Sequence, residues 1–331
     1  MQQRTLGDSE IAVSAIGFGA WQMADPKYWG EDDAADADAT LRTALDAGIT
    51  LFDTAEFYGD GLSEQMLGKA LGKRRSEVVI ASKIWPTNCL SPDTIRERCE
   101  RSLEMLGTDY IDLYQVHWPT EAPDEMVFSA LRALKEEGKV REIGISNFGP
   151  TQIEAWCREG AAVSNQLAYN LLFRAIEFDI VPACQKHAMG ILAYVPVMQG
   201  LLAGRYESVD DIPPTRRRTR HFSSAREGTR HGEPGAEDLL FESIARIREI
   251  ADDLGEPMAA VALAWAMRQP SITSALIGAR KPEQLTENLR AADIALDDDT
   301  LARLDAATTD LKDALGPNAD MWLAGDEARV R

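Results

Sequence analysis

Residues 110–148 read YIDLYQVHWPTEAPDEMVFSALRALKEEGKVREIGISNF, and this stretch decides the fold. Its two ends, YIDLYQVHW at 110–118 and VREIGISNF at 140–148, are near-continuously apolar rather than alternating. That pattern suits strands covered on both faces, as in a parallel sheet. Between them DEMVFSALRALKEE at 124–137 spaces its apolar residues by three and four and stops at Gly138, which predicts a helix.

The same alternation runs outward in both directions. Further strand-like runs are AVSAIGFG at 12–19, ITLFDT at 49–54, EVVIASKI at 77–84, AAVSNQ at 161–166, GILAYVPV at 190–197 and ITSALIGA at 272–279. Helices are predicted at 36–47, 63–73, 91–106, 151–159, 236–254, 257–268, 281–291 and 298–306. The helix at 91–106 carries its own punctuation: Ser91 as N-cap, Pro92 at the first helical position, and Gly107 to end it left-handed. Eight strand–helix units predict a (β/α)8 TIM barrel formed by residues 1–331 as one domain. RTLGDSEIAV at 4–13 predicts a hairpin turning at Gly7-Asp8 ahead of the first barrel strand. A doubly wound dinucleotide sheet is the rival, but Gly17-Phe18-Gly19-Ala20-Trp21-Gln22 has glutamine where that fingerprint needs its third glycine.

Composition narrows the function classes. With 45% hydrophobic and 27% charged residues, the chain has the mix of a soluble globular protein. It carries 35 basic against 54 acidic residues, a net charge of −19, which argues against a nucleic-acid partner. The first residues, MQQRTLGDSEIAV, contain no apolar run of export-signal length, and no apolar run of membrane-spanning length occurs elsewhere. A cytoplasmic protein without membrane association is expected. Cys89, Cys99, Cys157 and Cys184 are scattered and the four histidines show no H-E-x-x-H, so reduced thiols and no metal site are expected.

In such barrels chemistry gathers at the carboxyl ends of the strands. There the sequence puts Asp53 (strand two), Tyr58 in the following loop, Lys83 (three), His117 (four), Ser146-Asn147 (five), Gln166 (six) and Tyr194 (seven). Singly, each has an ordinary reading: a capping aspartate, a packing tyrosine, a solvated lysine, a satisfied histidine. Together on consecutive strand ends, the first four form a device for protonating a carbonyl oxygen. Tyr58 would donate the proton, and a Lys83 ammonium would lower the phenol's pKa. Asp53 would keep that lysine charged, and a neutral His117 would orient the substrate oxygen. No activated Cys or Ser presents itself, so hydride from a cofactor is the natural nucleophile.

GITLFDTAEFYG at 48–59 and LEMLGTDYIDLYQVHWP at 103–119 resemble the two signatures of the aldo-keto reductases. GISNF at 144–148, NQLAYN at 165–170 and GARKPEQLTENL at 278–289 match further segments in the family's order. Within the family the chain looks most like the bacterial general-stress-protein and inositol-dehydrogenase-like branch. The resemblance implies a nicotinamide-dependent carbonyl reductase with Asp53, Tyr58, Lys83 and His117 as its tetrad. It implies that Ser146, Asn147 and Gln166 hold the carboxamide, that the ring stacks on Tyr194, and that Val197 to Leu201, with Gln199 and Gly200, form the pyrophosphate turn. Gly278, Arg280, Gln284 and Asn288 would take the adenosine-phosphate end. Arg280-Lys281 ahead of a helix start suits an anionic phosphate, which favours NADPH over NADH. Val195-Pro196-Val197 departs from the Ser-Pro-Leu usual there, so phosphate contacts at that turn fall to backbone N–H groups.

From Tyr194 to Gly278 is 84 residues, so the seventh loop carries an insertion. It includes six arginines, at 216, 217, 218, 220, 226 and 230. A solvated loop is one reading; a mobile flap over the dinucleotide, with Arg216 on a phosphate, is the functional one. Trp21, Trp29, Trp85 and Trp118 lie by the same barrel end and would line a pocket for a small carbonyl or alcohol substrate. Two other functions remain open at this stage. One is a Schiff-base aldolase using Lys83; the other is a non-catalytic redox-sensing subunit, since ion-channel β subunits resemble this family in fold.

Overall fold

The computed structural model describes residues 1–25 and 34–331. Two short strands, β1 (Gln3–Thr5) and β2 (Ala12–Ser14), pair antiparallel and form the expected hairpin. Eight parallel strands follow among the described residues: β3 (Ile16–Gly19), β4 (Leu51–Asp53), β5 (Val79–Ile84), β6 (Ile111–Val116), β7 (Val140–Ser146), β8 (Ser164–Ala168), β9 (Gly190–Tyr194) and β10 (Ile272–Ile277). They lie side by side in chain order and close where β10 pairs with β3, Ala275 opposite Ile16. The single apolar run at 12–19 is therefore two elements, broken at Ala15 where the chain leaves the hairpin for the barrel.

Helices flank the strands: α1 (Ala34–Asp46), α2 (Leu62–Leu71), α3 (Pro92–Leu106), α4 (Asp124–Glu136), α5 (Pro150–Glu159), α6 (Ile180–Lys186), α7 (Glu237–Leu254), α8 (Met258–Arg268), α9 (Pro282–Leu289) and α10 (Asp298–Leu315). Ser91 Oγ accepts from Thr94 N at 3.2 Å and Gly107 adopts φ 63°, so α3 starts and stops as its sequence dictates. Two helices depart from expectation. The segment of α6 is short and carries Pro182, which hides its periodicity. α10 runs past residue 306 to Leu315 because Leu304, Ala307, Leu311 and Leu315 keep burying one face through the polar Thr308-Thr309-Asp310. No helix among the described residues is long and apolar enough to cross a membrane.

Strand period explains where the site lies. Side chains two apart on a strand share a face. Inward-facing Leu51, Val79, Ala81, Leu113 and Leu192 pack with Leu6, Ile11 and Val13 of the hairpin, which plugs the amino-terminal mouth. The next inward positions up the same strands are Asp53, Lys83, Gln115 and Tyr194, so the barrel lumen turns from apolar to polar at its carboxyl end.

The long loop after β9 is not a free flap. It contains short 3-10 turns at Val209–Asp211 and Pro214–Arg216, and it buries Ile212, His221 and Phe222 against the barrel. Most of its arginines are used within the fold. Arg217 lies 3.7 Å from Asp210, Arg218 donates to the Thr215 carbonyl, Arg226 pairs with Glu237 at 2.6 Å, and Arg220 pairs with Glu233 at 2.7 Å.

Candidate active site

Lys83 enters the barrel from β5 with its side chain 1% exposed. Its Nζ donates to Asp53 Oδ1 at 2.6 Å, to the Thr54 carbonyl at 2.8 Å and to Tyr58 OH at 3.4 Å. Burial pushes the Asp53 carboxyl up and the Lys83 ammonium down, and each charge opposes that shift in the other. His117 sits just beyond β6, edge-on to Tyr58 with ring centroids 5.6 Å apart. Burial first, then the Lys83 charge, hold its imidazole well below the usual histidine value, so it is neutral.

One expectation is corrected here. Tyr58 is not activated by a lowered pKa in this structure. Burial, Asp53 and Tyr194 push its phenol well above the ordinary tyrosine value, in that order. The hydroxyl is thus held protonated, and the nearby ammonium acts only on a phenolate as it forms.

These groups line the floor of a cavity of about 250 Å³. Trp21, Trp85 and Trp118 line it as expected, whereas Trp29 lies outside the described residues. Phe57 stacks on Trp85 with centroids 4.0 Å apart. Trp322, from the tail beyond α10, completes the aromatic wall and stands edge-on to Trp118. Nothing local in the sequence announces Trp322, because its place depends on how the tail returns over the barrel. Gln115, which sequence reasoning did not single out, lies two residues before His117 on the same face, the spacing that could have found it, and its Nε2 donates to Gln166 Oε1 at 3.4 Å.

Around the lumen, Ser146, Asn147, Gln166 and Tyr194 form one bonded group. Tyr194 OH donates to Asn147 Oδ1 at 2.8 Å, and Asn147 Nδ2 donates to Ser146 Oγ and to the His117 carbonyl, each at 3.0 Å. Ser146 Oγ donates to the Gln166 carbonyl at 3.1 Å, while the Gln166 side chain also bonds Asp53. Gln166 lies two residues before the end of β8 rather than at it. Asn147 takes φ 64°, a left-handed conformation that asparagine tolerates better than most residues.

A second cleft of about 470 Å³ adjoins the first and shares Gln22, Val197, Gln199 and Gly278 with it. Gly200, Arg216, Arg280, Gln284 and Asn288 line it, all at positions the sequence singled out. Leu201 does not line it; its side chain is buried in the hydrophobic core. The connecting turn is unusual. Met198, Gln199 and Gly200 have φ of 45°, 52° and 96°, a run of three left-handed residues, and the β-branched Val195 is left-handed too at φ 53°, separated from the run by Pro196 and Val197. Such strain collects at ligand clamps, and successive N–H groups in this geometry form anion-binding concavities. Gln284 Oε1 accepts from Arg280 N at 3.1 Å, which ties the start of α9 to the cleft.

Residues 15–309 match the Aldo/keto reductase family. The chain belongs to that family. It is 34% identical to the aldo-keto reductase YhdN of Bacillus subtilis over 300 residues, covering 86% of this chain and 87% of the relative. It is 32% identical to an NADH-specific methylglyoxal reductase of Escherichia coli, over 90% and 95% of the two chains. Among solved structures, an aldo-keto reductase from Klebsiella pneumoniae in complex with NADPH superposes with a TM-score of 0.72 at 31% identity, covering 92% of this chain and 95% of that one. These matches establish the aldo/keto reductase family and its barrel for this chain; they do not distinguish the branch within the family.

Proposed function

We propose that this aldo/keto reductase interconverts carbonyls and alcohols with NADP(H), using Tyr58 as general acid. One observation carries the reading: a buried Lys83 ammonium touches both Asp53 and the Tyr58 hydroxyl on the floor of an aromatic-walled cavity, beside a neutral His117.

A dinucleotide fits the donor set. The two adjoining clefts offer one end lined by amide and hydroxyl groups and another lined by Arg205, Arg216, Arg248 and Arg280. Ser146, Asn147 and Gln166 would hold the carboxamide and Tyr194 the ring. The turn at Val197 to Gly200 would meet the pyrophosphate, and Gln284 and Asn288 the adenosine end. When bound, the nicotinamide supplies or removes a hydride. Tyr58 gives its proton to the substrate oxygen in reduction and takes it back in oxidation. Lys83 stabilises the phenolate left behind, with Asp53 offsetting the cost of keeping the ammonium buried. The neutral His117 imidazole orients the carbonyl oxygen. All three Lys83 protons are engaged, by Asp53, Thr54 and Tyr58, which weighs against a free amine for Schiff-base chemistry.

The second cleft also carries Asp252, Glu256 and Glu287, of which Glu256 is paired with Arg290 at 2.7 Å. Four guanidiniums against these acids support a phosphate on the adenosine ribose, hence NADPH. The test is a cofactor-oxidation screen over aldehydes, ketones, sugars and polyols, with Tyr58→Phe as control. Turnover is expected with the native protein and a loss of about 10²–10⁴-fold in the variant. Full activity in Tyr58→Phe would falsify the assigned acid.

A further inference from the structure

Trp322 is a cavity wall that no barrel strand carries. It hangs on the tail after α10, and its placement has to come from contacts made elsewhere. We propose that Arg220, in the long loop after β9, is the positioning residue that holds this wall and so selects planar aromatic carbonyls as a substrate class. The proposal rests on the reductase reading above.

The Arg220 side chain is only 5% exposed, and it spends its donors on the tail. Nη2 donates to the Leu315 carbonyl at 2.7 Å and Nη1 to the Asn318 carbonyl at 2.8 Å, while Nε holds Glu233 Oε2 at 2.7 Å. The backbone N of Arg220 adds a bond to the Met321 carbonyl at 2.8 Å. One residue thus grips the end of α10, the turn after it, and the residue next to Trp322. A buried guanidinium carrying several bonds in fixed directions is a rigid bracket, since losing any acceptor leaves a costly unpaired donor.

Beyond the bracket the tail is knotted locally. Asp320 is fully buried, and its carboxylate accepts from Trp322 N at 3.0 Å, Leu323 N at 3.3 Å and Arg329 Nε at 2.8 Å. The Arg329 guanidinium lies 3.7 Å from the Trp118 ring centroid, and Trp118 meets Trp322 edge-on at 6.1 Å. The knot sets the shape of the tail, and Arg220 sets where that shape stands over the barrel. The stacked Phe57–Trp85 pair lines the same cavity as Trp118 and Trp322. A planar aromatic ring has the area to exploit these walls, whereas a two-carbon aldehyde has little.

The test compares native protein with Arg220→Met, which keeps the apolar stem, and Arg220→Lys, which keeps the charge. Hydrogen exchange is read at the residue-220 amide, which donates to the Met321 carbonyl, in cofactor-free protein. KM and kcat are read for 2-naphthaldehyde and acetaldehyde. Arg220→Met is expected to speed exchange at that amide and to raise KM for naphthaldehyde about tenfold, the size of one lost aromatic contact. Acetaldehyde constants should stay within about twofold, since that substrate has little area on the wall. Arg220→Lys should fall between. Unchanged exchange, or equal KM shifts for the two aldehydes, overturns the proposal. Should Arg220→Met fail to fold, Arg220→Lys carries the same outcomes. Native protein that turns over other carbonyls but not naphthaldehyde overturns the aromatic preference; no turnover of any screened carbonyl or alcohol removes the reductase reading, while the exchange arm still decides the role of Arg220.

Discussion

Tyr58 works against its own surroundings, and this sets the size of the Tyr58→Phe effect. Its phenol is pushed well above the ordinary value by burial, Asp53 and Tyr194, so the proton is always present but reluctant to leave. In the proposed mechanism, transfer depends on the Lys83 ammonium 3.4 Å away, which favours the phenolate only as it appears. Removing the hydroxyl deletes the donor and leaves the ring, and the expected loss of about 10²–10⁴ in kcat should come with little change in cofactor affinity. Stopped-flow turnover with a fluorescence titration of the cofactor checks both. The positions of Asp53, Lys83 and His117 were legible in the sequence because strand period fixes which side chains face the lumen. The direction of the Tyr58 shift was not legible, because burial depends on groups from several strands and the tail.

At the scale of elements, α2 stitches the tetrad strands together from behind. Glu64 in its first turn is 1% exposed and shares a 2.5 Å bond with Ser82 Oγ, the residue before Lys83 on β5. Burial raises its carboxyl to about 7 despite the opposing bond from Ser82. A carboxyl raised on folding stays protonated in the native state while the unfolded chain ionises. Its contribution is therefore fully present below the unfolded value of 4.5 and is lost as pH rises to about 7. The loss is on the order of 3 kcal/mol. Glu64→Gln mimics the protonated form, so its thermal melt should exceed that of native protein at pH 8 and converge with it toward pH 5. The same helix approaches α3 closely at Gly68, where a Cβ would overlap the Leu106 carbonyl. Gly68→Ala is expected to cost about 1–3 kcal/mol by overpacking, measured by denaturant titration. The sequence announced both helices by their apolar spacing, but not this approach, since a glycine in a helix does not name its neighbour.

For the whole molecule, the net charge of −19 acquires a structural meaning. Much of the basic loop is spent on internal ion pairs, while Arg205, Arg216, Arg248 and Arg280 converge on one cleft at the barrel's carboxyl end. Arg280→Ala is expected to weaken NADPH binding about tenfold or more, the worth of a charge-assisted bond, with a much smaller effect on NADH. Paired titrations of the two cofactors at fixed ionic strength measure the difference. Equal losses for both would place Arg280 on the shared pyrophosphate instead of the ribose phosphate.

By itself the sequence determined the barrel, its amino-terminal hairpin and the inward-facing polar residues at the strand ends. Those follow from periods of two and three to four residues, which are local properties of a chain. Only the tertiary structure decided what closes the site. Trp322, the Arg220 bracket and the left-handed turn at Val195 to Gly200 depend on segments distant in sequence that meet over the barrel mouth. Their energetics lie in buried bonds between those segments, and no local pattern records such a partner.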